Sequence, residues 1–509
     1  MAALELREHR FLGMTQSLCP DCLGVVPAKI LSRAGRVYFR KQCPQHGTRE
    51  DFVCGDDRWF DRMEYSLPGK IPAQFAIAPR RGCPYDCGLC TEHEQHTCIA
   101  VLEITSSCNL TCPLCYASSA PGGVPLSVAD CRRAIDHLVR FEGRPEILQL
   151  SGGEPTVHPQ FHDIFEYACD QPIDIVMINT NGVRLASDNR LLDQLAARRQ
   201  RCEVYLQFDG LDPASHRVLR GEELLETKLR AIERLGEHRL HTTLVCTVET
   251  GVNSGQLGAL VQFSAERPWI TGISFQPATY TGRCLQPETL EHRVTFPDVL
   301  KGIAAQSHGT WREADFLPLP CAHPNAHSLA YAYREAGRLT PLTRFIDIEN
   351  HLDLLANGIT FNRGSARSLI ADFLERQGCC GSGGCGPATL DSPAGRGEGS
   401  RRVPSVAVDP AEQAQLDRVA ASFFTRCLAQ DLSPADVFRI TTTSFMDPYN
   451  FDLRQLMKSC VHHLLPSGHL IPFCAYNVLY RDGHVPLPDL TPAAPMPDRP
   501  HRVSLDVIS

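Results

Sequence analysis

Between residues 99 and 278, short apolar, β-rich runs alternate with amphipathic runs in a regular order, and few folds accept that pattern. The strand-like runs fall at 99–105, 147–151, 174–179, 203–209, 242–249 and 272–278. Helix-like segments lie between them at 128–141, behind a Ser127 cap, and at 161–169, 190–199, 224–235 and 257–266. Two strands joined through a helix run in the same direction, so six such units predict an α/β fold with a parallel sheet and helices outside it. In such sheets chemistry collects at the carboxyl ends of strands. Cys108, Glu154, Asn181 and Asp209 all fall there.

The first strand end carries Cys108-Asn109-Leu110-Thr111-Cys112-Pro113-Leu114-Cys115-Tyr116, three thiols closing on an aromatic. Three cysteines can hold only three irons of a cubane, which leaves the fourth iron open to a ligand. The second strand end carries Ser151-Gly152-Gly153-Glu154-Pro155-Thr156, where small residues let backbone approach a ligand closely. Asn179-Thr180-Asn181-Gly182 and Gln207-Phe208-Asp209-Gly210 end the next two strands; they could meet a ribose or an adenine, and turn formation alone would also explain them.

Together the two motifs resemble the radical S-adenosylmethionine (SAM) superfamily. The resemblance implies a partial, TIM-like (β/α)6 barrel. It also implies that Cys108, Cys112 and Cys115 are the catalytic cluster's ligands and that Gly152, Gly153 and Glu154 form the SAM-binding edge, with Asn181 and Asp209 as further cofactor contacts. One electron entering such a cluster cleaves SAM to methionine and a 5'-deoxyadenosyl radical, which abstracts hydrogen from an unactivated carbon.

The chain has 23 cysteines, and several more form groups. Cys19-Pro20-Asp21-Cys22 and Cys43-Pro44-Gln45-His46 flank the alternating stretch 36–40, which predicts two knuckles joined by a hairpin in a small rubredoxin- or zinc-ribbon-like domain. Such knuckles make a tetrahedral site for one zinc or iron ion, with His46 the fourth ligand by spacing and Cys54 its competitor. Cys83, Cys87 and Cys90 repeat the spacing of Cys108 to Cys115 without a following Gly-Gly-Glu, and so read as an auxiliary 4Fe-4S cluster whose fourth ligand could be Cys98, His93 or His96. Late in the chain, Cys321, Cys460, Cys474 and one of the Gly-rich trio that ends in Cys385 could build a further cluster. Solitary Cys131, Cys169, Cys202, Cys246 and Cys427 read as core residues.

These features divide the 509 residues into a metal-knuckle domain (1–75), an auxiliary-cluster segment (76–98), the barrel core (99–300), a C-terminal auxiliary-cluster region (301–485) and a Pro-rich tail (486–509). The C-terminal region includes a flexible, low-complexity insertion near 386–410 and a helix at 411–429. A hydrophobic fraction of 43%, a charged fraction of 21% and a net charge of −8 describe a globular protein with no basic surplus for nucleic acid. No apolar run is long enough to span a bilayer and the N-terminus has no secretory core, so a cytoplasmic location is expected and the thiols read as ligands rather than disulfides. An acidic chain is expected to make at most transient membrane contact.

The strings Gly82-Cys83-Pro84-Tyr85-Asp86-Cys87-Gly88-Leu89-Cys90, the 98–115 segment, Met446-Asp447-Pro448-Tyr449-Asn450-Phe451 and Pro472-Phe473-Cys474-Ala475-Tyr476-Asn477 resemble the tetraether lipid synthase and pterin-methylating radical enzyme family, over roughly residues 15 to 480. That resemblance implies one or two auxiliary 4Fe-4S clusters, a mononuclear iron or zinc, an electron donor such as flavodoxin or ferredoxin, and carbon–carbon joining of lipid chains. Methylation of a pterin or other small heterocycle is the alternative activity, and a non-enzymatic multi-cluster electron carrier is the alternative class. One departure stands out. Ala326 and His327 follow Cys321-Ala322-His323-Pro324 where the family pattern leads one to expect a second cysteine.

Overall fold

The computed structural model describes residues 8–284, 286, 289–346, 348, 352, 410–429 and 431–490. Its first sheet is an antiparallel meander of β1 (Arg10–Leu18), β2 (Val25–Arg33), β3 (Arg36–Cys43) and β4 (Gly47–Cys54). The alternating stretch at 36–40 lies within β3, and the tight turn Ala34-Gly35, with positive φ at both residues, joins it to β2. Lys41 docks this ribbon on the rest of the chain: buried against Asp51 at 3.0 Å, it donates to the carbonyls of Pro448 and Tyr449 at 2.8 and 2.7 Å.

The second sheet is built on six parallel strands in sequence order, β5 (Ile99–Thr105), β6 (Ile147–Gly152), β7 (Ile175–Thr180), β8 (Cys202–Gln207), β9 (Thr242–Val248) and β10 (Ile270–Pro277). Helices α1 (Val128–Glu142), α2 (Phe161–Asp170), α3 (Asn189–Ala197), α4 (Pro213–Arg220), α5 (Leu225–Glu237), α6 (Leu257–Ala265) and α7 (Phe296–Gln306) belong to the crossovers and to the segment after β10. Ser127 caps α1 by accepting from the Asp130 amide, as its position predicts. Helix α4 was absent from the hydrophobic pattern. Its signal is the pair Asp212-Pro213, a cap followed by proline at the first helical position.

The C-terminal half joins this sheet at both edges. After β11 (Leu317–Pro318), β12 (His327–Glu335), β13 (Arg338–Pro341) and α8 (Pro410–Leu428), β14 (Val437–Thr443) runs parallel beside β10. Beyond α9 (Leu453–Met457), β15 (Val461–Leu464) runs parallel beside β5, and β16 (Leu470–Pro472) covers it. Eight parallel strands therefore stand side by side, two of them supplied from the region after residue 301.

One face of this sheet packs on the helices. Leu148, Val176, Ile178, Val204, Leu206, Leu244 and Ile273 lie in one core with Ala134, Ile135 and Leu138 of α1. Cys131, Cys169, Cys202 and Cys246 share that core as apolar side chains, and Cys427 is buried in a second cluster. The other face is a cavity wall. Because side chains two apart share a face, Gln149, Asn179, Tyr205 with Gln207, Thr247, Ser274 with Gln276, and Thr441 with Thr443 all line one space of about 1470 Å³ open to solvent.

Candidate iron–sulfur and cofactor site

The loop after β5 carries Cys108, Cys112 and Cys115, with Cys112 buried between Leu110 and Leu224 and the other two partly exposed, and its Leu114 and Tyr116 line this cavity. The end of β6 is stitched to it. Gly153 N donates to Thr105 O at 2.8 Å and Glu154 N to Ser107 O at 2.9 Å. A Cβ on Gly152, at φ +129°, would sit 2.1 Å from Thr105 O, and one on Gly153 would sit 2.2 Å from Ser107 O. In this fold the two glycines are required by the approach of backbone to the cysteine loop itself.

Glu154 is fully engaged within the protein. One carboxylate oxygen accepts from Thr156 N, Thr156 Oγ1 and Thr180 Oγ1 at 3.1, 2.6 and 2.8 Å, and the other accepts from Asn181 N at 2.7 Å. Burial nonetheless holds its pKa above the ordinary carboxylate value. The residue therefore ties the end of β6 to the end of β7. Asn181 reaches back from there, donating to Asn109 Oδ1 at 2.7 Å with its amide 4.0 Å from Cys108 Sγ.

Asp209 does not present a free carboxylate to a ligand. Both its oxygens accept from Arg220 at 2.7 Å, and Thr247 N adds a bond at 3.1 Å. Burial opposes ionisation of Asp209, but Arg220 overrides it and holds the pKa below the usual value. Arg220, itself buried, donates also to Thr247 Oγ1 at 3.2 Å, lies near enough to Cys112 to interact with it electrostatically, and lines the cavity. Lys228, fully buried with its ammonium on the Gln207 carbonyl, is pushed down to about 8 by burial. Two buried cations thus stand near Cys112 in an acidic chain. Neither is visible from motif spacing, because Arg220 and Lys228 come from helices whose inward turns only packing decides.

At the N-terminal knuckle the ligand atoms of Cys19, Cys22, Cys43 and His46 all lie within 4.8 Å of one another, the one such group among the described residues. His46 Nδ1 is 3.5 Å from both Cys19 and Cys43. Partial desolvation works against the Cys43 thiolate, yet the amides of Gln45 and His46 and the His46 ring bring it down to about 6. Four donors in that space fit one zinc or iron ion. Cys54 lies elsewhere, its thiol on the Asp56 carbonyl.

The remaining cysteines fall into groups that differ from those expected by sequence proximity. Cys87 lies against Cys83 and near Cys90. Cys98, one of the expected candidates for the fourth ligand to that trio, is buried instead beside Cys321 and Cys460, near enough to interact with both electrostatically. Strand pairing is the cause: the amides of Cys98 and Ile99 both donate to Cys460 O, at 2.9 and 3.1 Å, where β5 meets β15. His93 turns to Ser459 O at 2.8 Å and to His462 at 3.1 Å. His96 Nε2 lies 3.6 Å from Cys98. Cys474, expected with Cys321 and Cys460, accepts from Met446 N at 3.1 Å on the cavity wall. Cys379, Cys380, Cys385 and the low-complexity stretch lie outside the described residues.

A cysteine triad at the end of the first parallel strand, locked to a Gly-Gly-Glu edge over an open cavity, defines a radical SAM enzyme. The radical SAM superfamily model matches residues 102–264, and a zinc ribbon model described as the HMPTM N-terminal domain matches residues 11–55. A Methanocaldococcus jannaschii protein named 7,8-dihydro-6-hydroxymethylpterin dimethyltransferase is 31% identical over 499 residues, 92% of this chain and 94% of its own length. The chain belongs to that enzyme's family. The mycofactocin maturase MftC of Mycobacterium ulcerans is 33% identical over 158 residues, covering 30% of this chain and 41% of its own. The SuiB structure from Streptococcus suis bound to S-adenosylmethionine superposes with a TM-score of 0.34 at 16% identity, over 41% of this chain and 46% of that one. Membership of the superfamily implies a 4Fe-4S cluster and SAM as cofactors. Among the described residues no helix is long and apolar enough to cross a membrane.

Proposed function

We propose that this chain installs methyl groups on a reduced pterin, with Cys108, Cys112 and Cys115 holding the cluster that binds SAM. The observation that carries the reading is the row of amide side chains, Gln149, Asn179, Gln207 and Gln276, that β6, β7, β8 and β10 project into the cavity. A pterin is flat and presents donors and acceptors along one edge, which amides can match in pairs. A lipid chain offers no such groups, and covering each amide with it would cost about 1–3 kcal/mol. The family relationship to a pterin dimethyltransferase supports the same substrate class. The joining of two lipid chains, expected from the broader resemblance, gains no comparable support from the cavity wall.

Under this reading the protein's own groups do the positioning. Asp209 holds Arg220, which places a buried cation near the Cys112 sulfur. Glu154 fixes the spacing of the β6 and β7 ends, so the Gly152-Gly153 edge cannot drift from the cysteine loop. Tyr116 packs on Phe473 at 5.1 Å, and Phe473 on Phe445 at 4.2 Å, giving the cavity an aromatic stretch of wall besides the amides. A cluster and SAM bound here supply the 5'-deoxyadenosyl radical. Cys83, Cys87 and Cys90 would hold an auxiliary cluster and the knuckle a zinc or iron ion. The electron would come from a donor such as flavodoxin or ferredoxin in the cytoplasm.

The test is anaerobic turnover of the reconstituted chain with reductant, SAM and 7,8-dihydro-6-hydroxymethylpterin, followed by mass spectrometry of the pterin. A gain of one or two methylene units is expected. An unchanged pterin, together with deuterium in the 5'-deoxyadenosine released in the presence of chain-deuterated phospholipid, would overturn the reading in favour of a lipid substrate.

A further inference from the structure

Cys98, Cys321 and Cys460 come from three distant parts of the chain, and all are 0% exposed. The Cys98 amide donates to Cys460 O at 2.9 Å and all three share one buried cluster, near enough for Cys98 to interact electrostatically with both of the others, yet the trio does not close within 4.8 Å as the knuckle ligands do. Thiols gathered but too spread for one ion fit a polynuclear iron–sulfur cluster, which distributes its ligands over separate irons. Three thiolates leave one iron without a protein ligand.

Three groups compete for that position. Cys474 sits apart, its sulfur engaged by the Met446 amide. His96 lies 3.6 Å from Cys98 through Nε2, but carboxylates flank both its nitrogens, Glu142 at 3.4 Å from Nδ1 and Glu146 at 3.9 Å from Nε2. His327 is placed differently. Its Nε2 faces Cys460 Sγ at 3.7 Å, while its Nδ1 faces a hydroxyl, Thr443 Oγ1, at 3.1 Å. Nδ1–H donating to Thr443 leaves the Nε2 lone pair aimed at the thiols, which is how a metal-bound imidazole is oriented by its outer partner.

We propose that Cys98, Cys321, Cys460 and His327 together ligate an auxiliary iron–sulfur cluster. His327 also lines the large cavity, so this cluster would meet the substrate space through its imidazole edge. A neutral ring in place of a thiolate makes the cluster one charge less negative. Its reduction potential is therefore higher than that of an otherwise identical four-cysteine cluster, in the direction seen when histidine replaces cysteine in other iron–sulfur centres. The assignment does not depend on the identity of the substrate.

The experiment uses the full chain carrying C108A, C112A and C115A, so that no SAM-binding cluster contributes, with zinc in the knuckle. After anaerobic reconstitution and reduction, pulsed EPR is recorded on protein with natural or ¹⁵N-labelled histidine. A strongly coupled nitrogen that changes with the label is expected. H327C should keep iron and sulfide per chain, lose that coupling and lower the midpoint potential. If H327C takes up no iron, H327A is read instead, and retained iron without the coupling supports the assignment equally. The proposal is overturned if the coupling is absent from the parent, survives in the His327 variants, or vanishes with H96Q alone. It is equally overturned if replacing Cys98, Cys321 and Cys460 together leaves the iron content unchanged.

Discussion

Two loops in this chain share the spacing Cys-x3-Cys-x2-Cys and leave their first thiol partly exposed, but their surroundings differ. The loop at Cys83 to Cys90 is closed. Asp86 collects the amides of Arg80, Arg81 and Gly82, and Tyr480 clamps the turn by donating to Pro84 O at 2.7 Å and accepting from Cys87 N at 3.1 Å. Cys87 and Cys90 are buried, and Cys83 alone is partly exposed. The loop at Cys108 to Cys115 is more open, with two of its thiols partly exposed, a glycine edge sewn to its start and the buried cation Arg220 near Cys112. Spacing decides that three thiols can hold three irons. The surroundings decide whether a fourth iron can be reached by a ligand, and on that ground we propose SAM for the second loop.

The largest expected effect separates the loops directly. C108A, C112A or C115A should reduce SAM cleavage to the background of reductant alone, whereas C83A, C87A or C90A should leave 5'-deoxyadenosine formation measurable. Cleavage that survives in the first set, or is lost only in the second, would reverse the assignment of the two loops.

The next effect sharpens the role of the arginines. R220M strands the buried Asp209 carboxylate, which should cost about 3–5 kcal/mol in unfolding free energy. SAM cleavage should also fall about 10–100-fold through loss of the cation near Cys112. Arg81 makes the analogous contact to Asp86 from a side chain that is 44% exposed, so R81M should cost only about 0–1 kcal/mol. Chemical unfolding of both variants, with cleavage rates, gives the contrast.

Lys228 distinguishes the open loop by pH. Its folded pKa, about 8, lies below the ordinary value of 10.5, so between those limits the unfolded chain binds more protons than the fold. Stability contributed by this site therefore rises with pH across that window, by at most about 3 kcal/mol. K228M should flatten that part of the profile, measured by urea unfolding from neutral to alkaline pH.

The smallest effect concerns glycines. G153A forces a Cβ against the Ser107 carbonyl, an overpacking of about 1–3 kcal/mol that should also shift the cysteine loop and slow cleavage. Beside the closed loop, Gly82 has a positive φ, but an added Cβ would meet nothing closer than Glu92 Oε2 at 4.0 Å. G82A should therefore cost about 1 kcal/mol from backbone conformation alone and leave cleavage intact. Equal losses in the two variants would show that the Gly153 contact is not specific to the open loop.

Much of the barrel was legible because its signals are local. The expected run at 99–105 is β5 residue for residue, the Ser127 cap begins α1, and the expected helix at 411–429 appears as α8 displaced by one residue. Strand β15 was not legible, because its four residues are short and its partner β5 lies more than 350 positions earlier. The same pairing is why Cys98 was expected with Cys90, its neighbour in sequence, and is found with Cys460.

Sequence alone determined the thiol spacing and the order of the strand–helix units, since each rests on residues within one turn, one strand or one loop; it marked Gly152 and Gly153 as a place of close approach, but that they meet Thr105 and Ser107 came from the structure. Tertiary structure alone decided which thiols meet across the sheet, that Asp209 is committed to Arg220, and that a histidine faces the Cys98 group. The thiol and histidine placements depend on strand pairing between segments hundreds of residues apart, and the Asp209–Arg220 pair, though only 11 residues apart, depends on how α4 packs back onto the end of β8; in neither case does local propensity specify the partner.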